Sequence, residues 1–273
     1  MSTYLRDIAF VNVGANNVAT AQLKLGRTYE RLILELGGTT FTKAMITDIQ
    51  IKVNGKLFWR ATGTRLDLMN TYRGLAANAA YLAIDFTEQD FKTIEAMLLG
   101  TFACTQEAGV QSATIEVTIA GATAPTLALI QQCGEPSAND IVTRMIWNQI
   151  GITAAGTFPV YVPYGRAQGG QVKRVWMFHG GNCTGLQIKR NNFELFNLTD
   201  TQNRFMQTEK RKVPQTNLMV YDPVMSNLGS DMLNARGTDQ GAGVVNSLDF
   251  LVTASAADTI NMYVEYIDSL SRV

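Results

Sequence analysis

Apolar and polar residues alternate through most of the chain. Residues 18–25 open with that two-residue period. In 49–53, Ile49, Ile51 and Val53 share one face while Gln50 and Lys52 take the other. Asn54-Gly55 follows directly, and then the apolar segment 56–60. Both central residues of a type I′ turn need φ > 0, which Asn and Gly adopt most readily, so this pair predicts a β-hairpin. Further strands are predicted at 81–86, 113–119, 172–178, 216–221, 247–253 and 259–267. Clusters of Gly, Asn, Thr and Ser separate them, as in an all-β chain. Segment 141–150 suits a strand or a short helix, and periodicity does not choose between them.

Helix is predicted twice. Thr87 and Asp90 have the spacing of a capping box, Phe91, Ile94, Met97 and Leu98 follow on one helical face, and Gly100 ends it. A second helix is expected to start at Asp222-Pro223, carry Leu228, Met232 and Leu233, and end near Gly237.

Laid on itself, the chain repeats. At a shift of 137 residues, Gln-Ile-Lys-Val-Asn at 50–54 falls on Gln-Ile-Lys-Arg-Asn at 187–191, Asp85 falls on Asp222, and Gly100 on Gly237. Relaxed to 138, the shift brings Leu57-Phe58 onto Leu195-Phe196. A hairpin, a strand ending in Asp and a helix ending in Gly thus recur in order, which implies two copies of one domain. Each copy, with roughly eight short strands, suits a β-sandwich of the jelly-roll kind. The expected architecture is all-β: two tandem eight-stranded jelly-roll β-sandwiches with short inserted helices. The domains are expected at 1–135 and 136–273, with the linker and leading strand within about 122–170, which holds four of the six prolines.

Composition narrows the chemistry. Charge is balanced, 23 basic against 23 acidic residues, and a chain that neutralises many phosphates needs a cationic surplus, so direct nucleic-acid binding is not expected. The single histidine, His179, ends an apolar run and reads as a hydrogen-bonded residue at a strand end; a duplicated barrel metalloenzyme needs several. Cys104, Cys133 and Cys183 are odd in number, lack C-x-x-C spacing and read as buried free thiols. Gly241-Ala-Gly243 lacks the third glycine of a dinucleotide fingerprint, and no phosphate-binding loop or Gly-x-Ser-x-Gly elbow occurs. Asn182 and Asn197 match the glycosylation pattern but read as turn residues, and the basic run 207–212 as a solvated loop. Asp85 and Asp222 read as helix caps rather than calcium ligands.

Arg6 and Asp7 interrupt the stretch a signal peptide needs, and no apolar run reaches the ~18 residues of a membrane span. Synthesis in a cytoplasm is expected, with membrane contact at most peripheral. No catalytic residue, cofactor-binding residue or metal ligand is assigned, and an enzyme is not expected. The alternative function is a carbohydrate-binding β-sandwich, lectin-like or receptor-binding. Trp59, Trp147 and Trp176 are the aromatics it would use, yet each sits in an apolar segment and reads as core.

Segment 25–30 (Leu-Gly-Arg-Thr-Tyr-Glu), with 49–57 and 66–73, resembles the first jelly roll of the corticovirus-type major capsid protein. Val162-Pro-Tyr-Gly165 ahead of 172–178 is similar to that family's approach to its second jelly roll, and 263–267 through Ser271-Arg272 resembles its C-terminal strand. The resemblance covers most of the chain. It implies a double jelly-roll major capsid protein of a tailless icosahedral bacteriophage with an internal membrane. Three chains would form a homotrimeric, pseudo-hexameric capsomer in the virion capsid, after synthesis in the host cytoplasm. Partners implied are neighbouring capsomers, minor capsid or penton proteins, and peripherally the viral membrane. No cofactor is implied; structural calcium occurs in some members, and no ligands for it are assigned in this sequence.

Overall fold

The two-residue period becomes strand throughout a computed structural model of the chain, which describes residues 2–237 and 244–272. The chain divides into two units. Unit 1 comprises Met1–Thr71, Leu75–Ile146 and Ile267–Val273; unit 2 comprises Tyr72–Gly74 and Trp147–Tyr266. The first nine strands are β1 (Thr3–Ala9), β2 (Val18–Gln22), β3 (Arg27–Thr40), β4 (Ile46–Val53), β5 (Lys56–Ala61), β6 (Tyr81–Asp85), β7 (Phe102–Cys104), β8 (Ala113–Ile119) and β9 (Thr123–Gly134). They form one sheet of order β1-β9-β3-β6, with β7 on β3, and a second of order β2-β8-β4-β5.

The next nine are β10 (Ile141–Ile152), β11 (Gly156–Val160), β12 (Gln171–Phe178), β13 (Cys183–Arg190), β14 (Phe193–Thr199), β15 (Leu218–Tyr221), β16 (Leu233–Asn234), β17 (Leu248–Ala254) and β18 (Asp258–Ser269). Their sheets are β10-β18-β12-β15, with β16 on β12, and β11-β17-β13-β14. Every strand of the second set occupies the place held nine strands earlier. Each set is the eight-stranded jelly-roll frame with one short added strand.

The repeat reaches single residues. In β4–β5, Gln50 faces Arg60, Ile51 faces Trp59, and the register slips before Lys52 faces Leu57. In β13–β14, Gln187 faces Asn197, Ile188 faces Phe196, and the slip comes again before Lys189 faces Glu194. Leu57 therefore matches Glu194, not Leu195; the shift of 137 holds through the hairpin and the relaxed match at 138 is superseded. Both turns have two residues at positive φ, Asn54 (51°) and Gly55 (79°), then Asn191 (50°) and Asn192 (64°). The Asn54 carboxamide donates to Gly109 O and accepts from the N–H groups of Gln111 and Ser112. Asn191 does the same with Val244 O and the N–H groups of Asn246 and Ser247. Each asparagine thus ties a hairpin to the loop that leads into the neighbouring strand.

Helices depart from expectation. The first expected helix is short, α2 (Ile94–Leu98), and its cap is Thr93, whose hydroxyl accepts from Ala96 N–H, rather than Thr87. The second is not formed: turns follow Asp222, and only a 3₁₀ segment, Gly229–Asp231, precedes β16. The main helices are α1 (Gly63–Tyr72) and α4 (Asp200–Glu209), again 137 residues apart; α3 (Gly165–Gln168) is one turn. Each is pinned by an amide at one shared position: Asn70 Nδ2 donates to Ala83 O and Gln207 Nε2 to Val220 O, both at 2.8 Å. Segment 141–150 is strand, and β9 lies within the stretch where a linker was expected.

Replacing Asn54 or Asn191 with Ala leaves two backbone donors and a carbonyl without partners and puts a Cβ-bearing apolar residue at positive φ. Each variant should lose about 1–3 kcal/mol in urea unfolding. Amide exchange should accelerate at 109–112 in the first variant and at 244–247 in the second. Unchanged exchange at these loops would refute the tie.

Candidate functional site

His179 follows β12 directly, where two glycines turn the chain toward β13. Asp258 holds this turn: its carboxylate accepts from Gly180 and Thr259 N–H (2.8 and 2.7 Å) and from Asn182 N–H (3.0 Å). His179, Cys183 and Asp258 bring one donor atom each to within 4.8 Å of one another. Among the described residues this is the one such group of metal-type donors. Two of its three members are engaged by the backbone, while His179 Nε2 is buried without a hydrogen-bond partner. His179 Nδ1 accepts from Gly181 N–H at 3.0 Å, which leaves the proton of the neutral ring on Nε2, and Asp258 already accepts three backbone N–H bonds. Burial lowers the His179 pKa, with Asp258 opposing, so the ring is neutral near pH 7. Burial raises the Cys183 thiol to about 12, so it is no nucleophile. Burial also raises the Asp258 carboxyl, but the three N–H bonds outweigh it and hold it below the usual range. The group is a loop clasp.

The densest chemistry lies elsewhere in unit 2. Glu265 on β18 is wholly buried, and it accepts from Arg73 Nη2 (2.9 Å) and Trp176 Nε1 (3.3 Å) and pairs with Lys173 Nζ (2.8 Å). Arg174 stands 3.7 Å from Glu265 and 3.2 Å from Asp222, which also accepts from the Tyr72 hydroxyl at 3.2 Å. Burial first, and then the Asp222 charge, raise the Tyr72 pKa, so the phenol stays a donor. Asp222 is therefore an ion-pair partner rather than a helix cap. Asp85 has the same role in unit 1, paired with Arg31 across β3 and β6.

Other residues singled out by sequence have structural places. Trp59 and Trp176 are buried, while Trp147 is 37% exposed and not core. Losing two of its three aromatics removes most of the glycan platform. All three cysteines are buried free thiols. In 207–212, Gln207 and Lys212 are buried and the residues between are exposed. Gly241-Ala-Gly243 lies outside the described residues. Among the described residues no helix is long and apolar enough to cross a membrane.

Models of the viral coat protein P2 match residues 5–133 (N-terminal domain) and 142–270 (C-terminal domain). The chain belongs to the viral coat protein P2 family. It is a viral major capsid protein. Its fold is similar to the major capsid protein P2 of bacteriophage PM2, at 18% identity and TM-score 0.83, over 98% of each chain. It is also similar to the major capsid protein of STIV (12%, 0.64, over 97% of this chain and 96% of that one) and the PBCV-1 capsid (10%, 0.58, over 97% and 93%). No curated protein matches the sequence. For a coat protein, a turn clasped by backbone hydrogen bonds and a core rich in paired charge are structural equipment.

Two outcomes are expected. A histidine whose native pKa is lowered favours the folded state above its ordinary value near 6.5, and that stability is lost as pH falls through 6.5 toward the native value. Thermal melts should show this loss in the parent chain and not in His179→Gln, with the two differing by at most about 1–2 kcal/mol at pH 7. Glu265→Gln leaves three buried cations short of one carboxylate and should cost about 3–5 kcal/mol in denaturant unfolding. A change under about 1 kcal/mol would show the cluster to be dispensable to stability.

Proposed function

We propose that this coat protein works as a homotrimeric, pseudo-hexameric capsomer of an icosahedral shell over an internal membrane. The observation that carries the reading is the duplicated strand order, one jelly-roll frame repeated nine strands later. A sixfold environment has six edges; a chain with two like domains supplies two of them, and three chains complete the ring by a head-to-tail contact. The balance of 23 basic and 23 acidic residues lets copies pack side by side without net repulsion. Residues 1–135 and 136–273 are proposed as the two domains; the ends of the family matches at 133 and 142 support a join in this stretch. Neighbouring capsomers, minor or penton proteins and, peripherally, the viral membrane are the proposed partners, after synthesis in the host cytoplasm. No catalytic residue is proposed.

Light scattering on the purified chain should give three times the 29.9 kDa chain mass, or assemblies built from that unit, and electron microscopy should show particles of near-hexagonal outline. A stable monomer or dimer over a wide concentration range would reject the trimer.

A further inference from the structure

The two units repeat each other, so a seat filled in one and open in the other carries information. In unit 2 the seat holds Tyr72 and Arg73. The Tyr72 ring meets Trp176 edge-on, 5.3 Å between centroids, and its carbonyl accepts from Val213 N–H at 2.9 Å. The Arg73 guanidinium lies 5.5 Å from the Trp176 ring and bonds Glu265. Trp176 alternates with Val175 and Met177 along β12, so the seat is on the far side of the sheet from those residues.

The registers give each group's counterpart in unit 1. Ile33 faces Ala83 on β6 as Trp176 faces Val220 on β15, so Ile33 holds the place of Trp176 and Arg31 that of Arg174. β9 and β18 are both twelve residues long, which puts Ile130 in the place of Glu265. Ala76 corresponds to Val213. Arg31, Ile33, Ala76 and Ile130 line one cleft of about 350 Å³. The counterpart of Tyr72-Arg73-Gly74 is Glu209-Lys210-Arg211, and all three of those residues are exposed. The backbone turns alike in both, with φ of 83° at Gly74 and 61° at Arg211. Each chain thus carries one filled seat, one open cleft and one exposed tip.

We propose that the tip Glu209–Arg211 of one copy seats in the Arg31–Ile33–Ile130 cleft of a second copy, an arrangement that rests on the coat-protein assembly proposed above. The chemistry suits it. Arg31, Lys43 and Asp67 give the cleft charges of both signs around an apolar floor, and the tip brings an acid and two bases. The alkyl stems of Lys210 and Arg211 cover Ile33 and Ile130 while their charged ends reach the rim. The acid that unit 2 holds at Glu265 is lost at Ile130, and the acid lining the cleft is instead Asp67, paired with Lys43. Tip and cleft are different surfaces, so the contact runs head to tail and closes into a ring or propagates.

Two variants at exposed positions test it by analytical ultracentrifugation of the full chain, with circular dichroism to check folding. Glu209→Lys with Lys210→Glu inverts the tip, and Ala76→Trp blocks the cleft; Ala77→Trp on the same wall replaces the latter if it unfolds. Each variant alone should self-associate about tenfold more weakly or worse. An equimolar mixture of the two should stop at the heterodimer, because only one intact tip and one intact cleft remain. If the parent chain assembles and both variants assemble as tightly, the seat is wrong and the assembly reading stands. A parent chain that stays monomeric removes the assembly reading and the seat with it.

Discussion

A carboxylate fully withdrawn from water at Glu265 constrains everything around it. Desolvating that charge costs several kcal/mol unless cations and donors replace the lost water. Lys173, Arg73, Arg174 and the Trp176 indole do so, and Arg174 in turn fixes Asp222, which holds the Tyr72 hydroxyl. Arg73 and Glu265 are 192 residues apart in sequence, so the cluster closes only when the end of α1 has reached the strands of the second half. The three residues Tyr72–Gly74 belong to unit 2 for this reason. Burial of this sheet face in unit 2 depends on Tyr72 and Arg73, which lie far in sequence from its strands.

Duplication preserved the backbone devices and changed the charges. The asparagine ties at Asn54 and Asn191, the register slips in the two hairpins and the helix amides at Asn70 and Gln207 are alike. By contrast, the Arg31–Asp85 pair keeps some contact with solvent, whereas Arg174 and Asp222 have none. The cause is the cover. Tyr72 and Arg73 lie over one pair, and the other borders an open cleft. Hydrogen bonds that satisfy backbone groups are needed in any copy of the frame, while side chains on the outward face answer to whatever covers them.

The same division explains what could be read from sequence. Alternation and the Asn-Gly pair are local, so β4, β5, β8 and the repeat at 137 are legible in the sequence alone. α4 was not, because its inward face is built from the amides Asn203 and Gln207 rather than an apolar stripe; the capping box at Thr199 and Gln202 was the available signal. The Asp222-Pro223 reading failed because the carboxylate that would cap a helix is held by Arg174 on another strand. β9 was hidden by Gln131, a wholly buried polar residue that interrupts the alternation and bonds Arg27 and Asp7. Of the clasp, His179 was visible and Cys183 lay four residues on, but Asp258 joins them only through the fold.

Divergence between the halves also has a use in assembly. Two identical units would offer two equal seats and two equal tips, and a chain could satisfy both within itself or pair in either order. Specificity requires that the alternatives differ in free energy. Trp176 and Glu265 make the seat in unit 2 fit an aromatic followed by an arginine, and Tyr72-Arg73 occupies it. Ile33 and Ile130 offer neither the ring nor the buried acid, so the same tip gains less there, while Glu209 in the place of Tyr72 would bring an unpaired carboxylate against Asp222. One pairing is thereby fixed within the chain, and the other is left for a neighbour, with the order of contacts decided by which charges were buried and which were not.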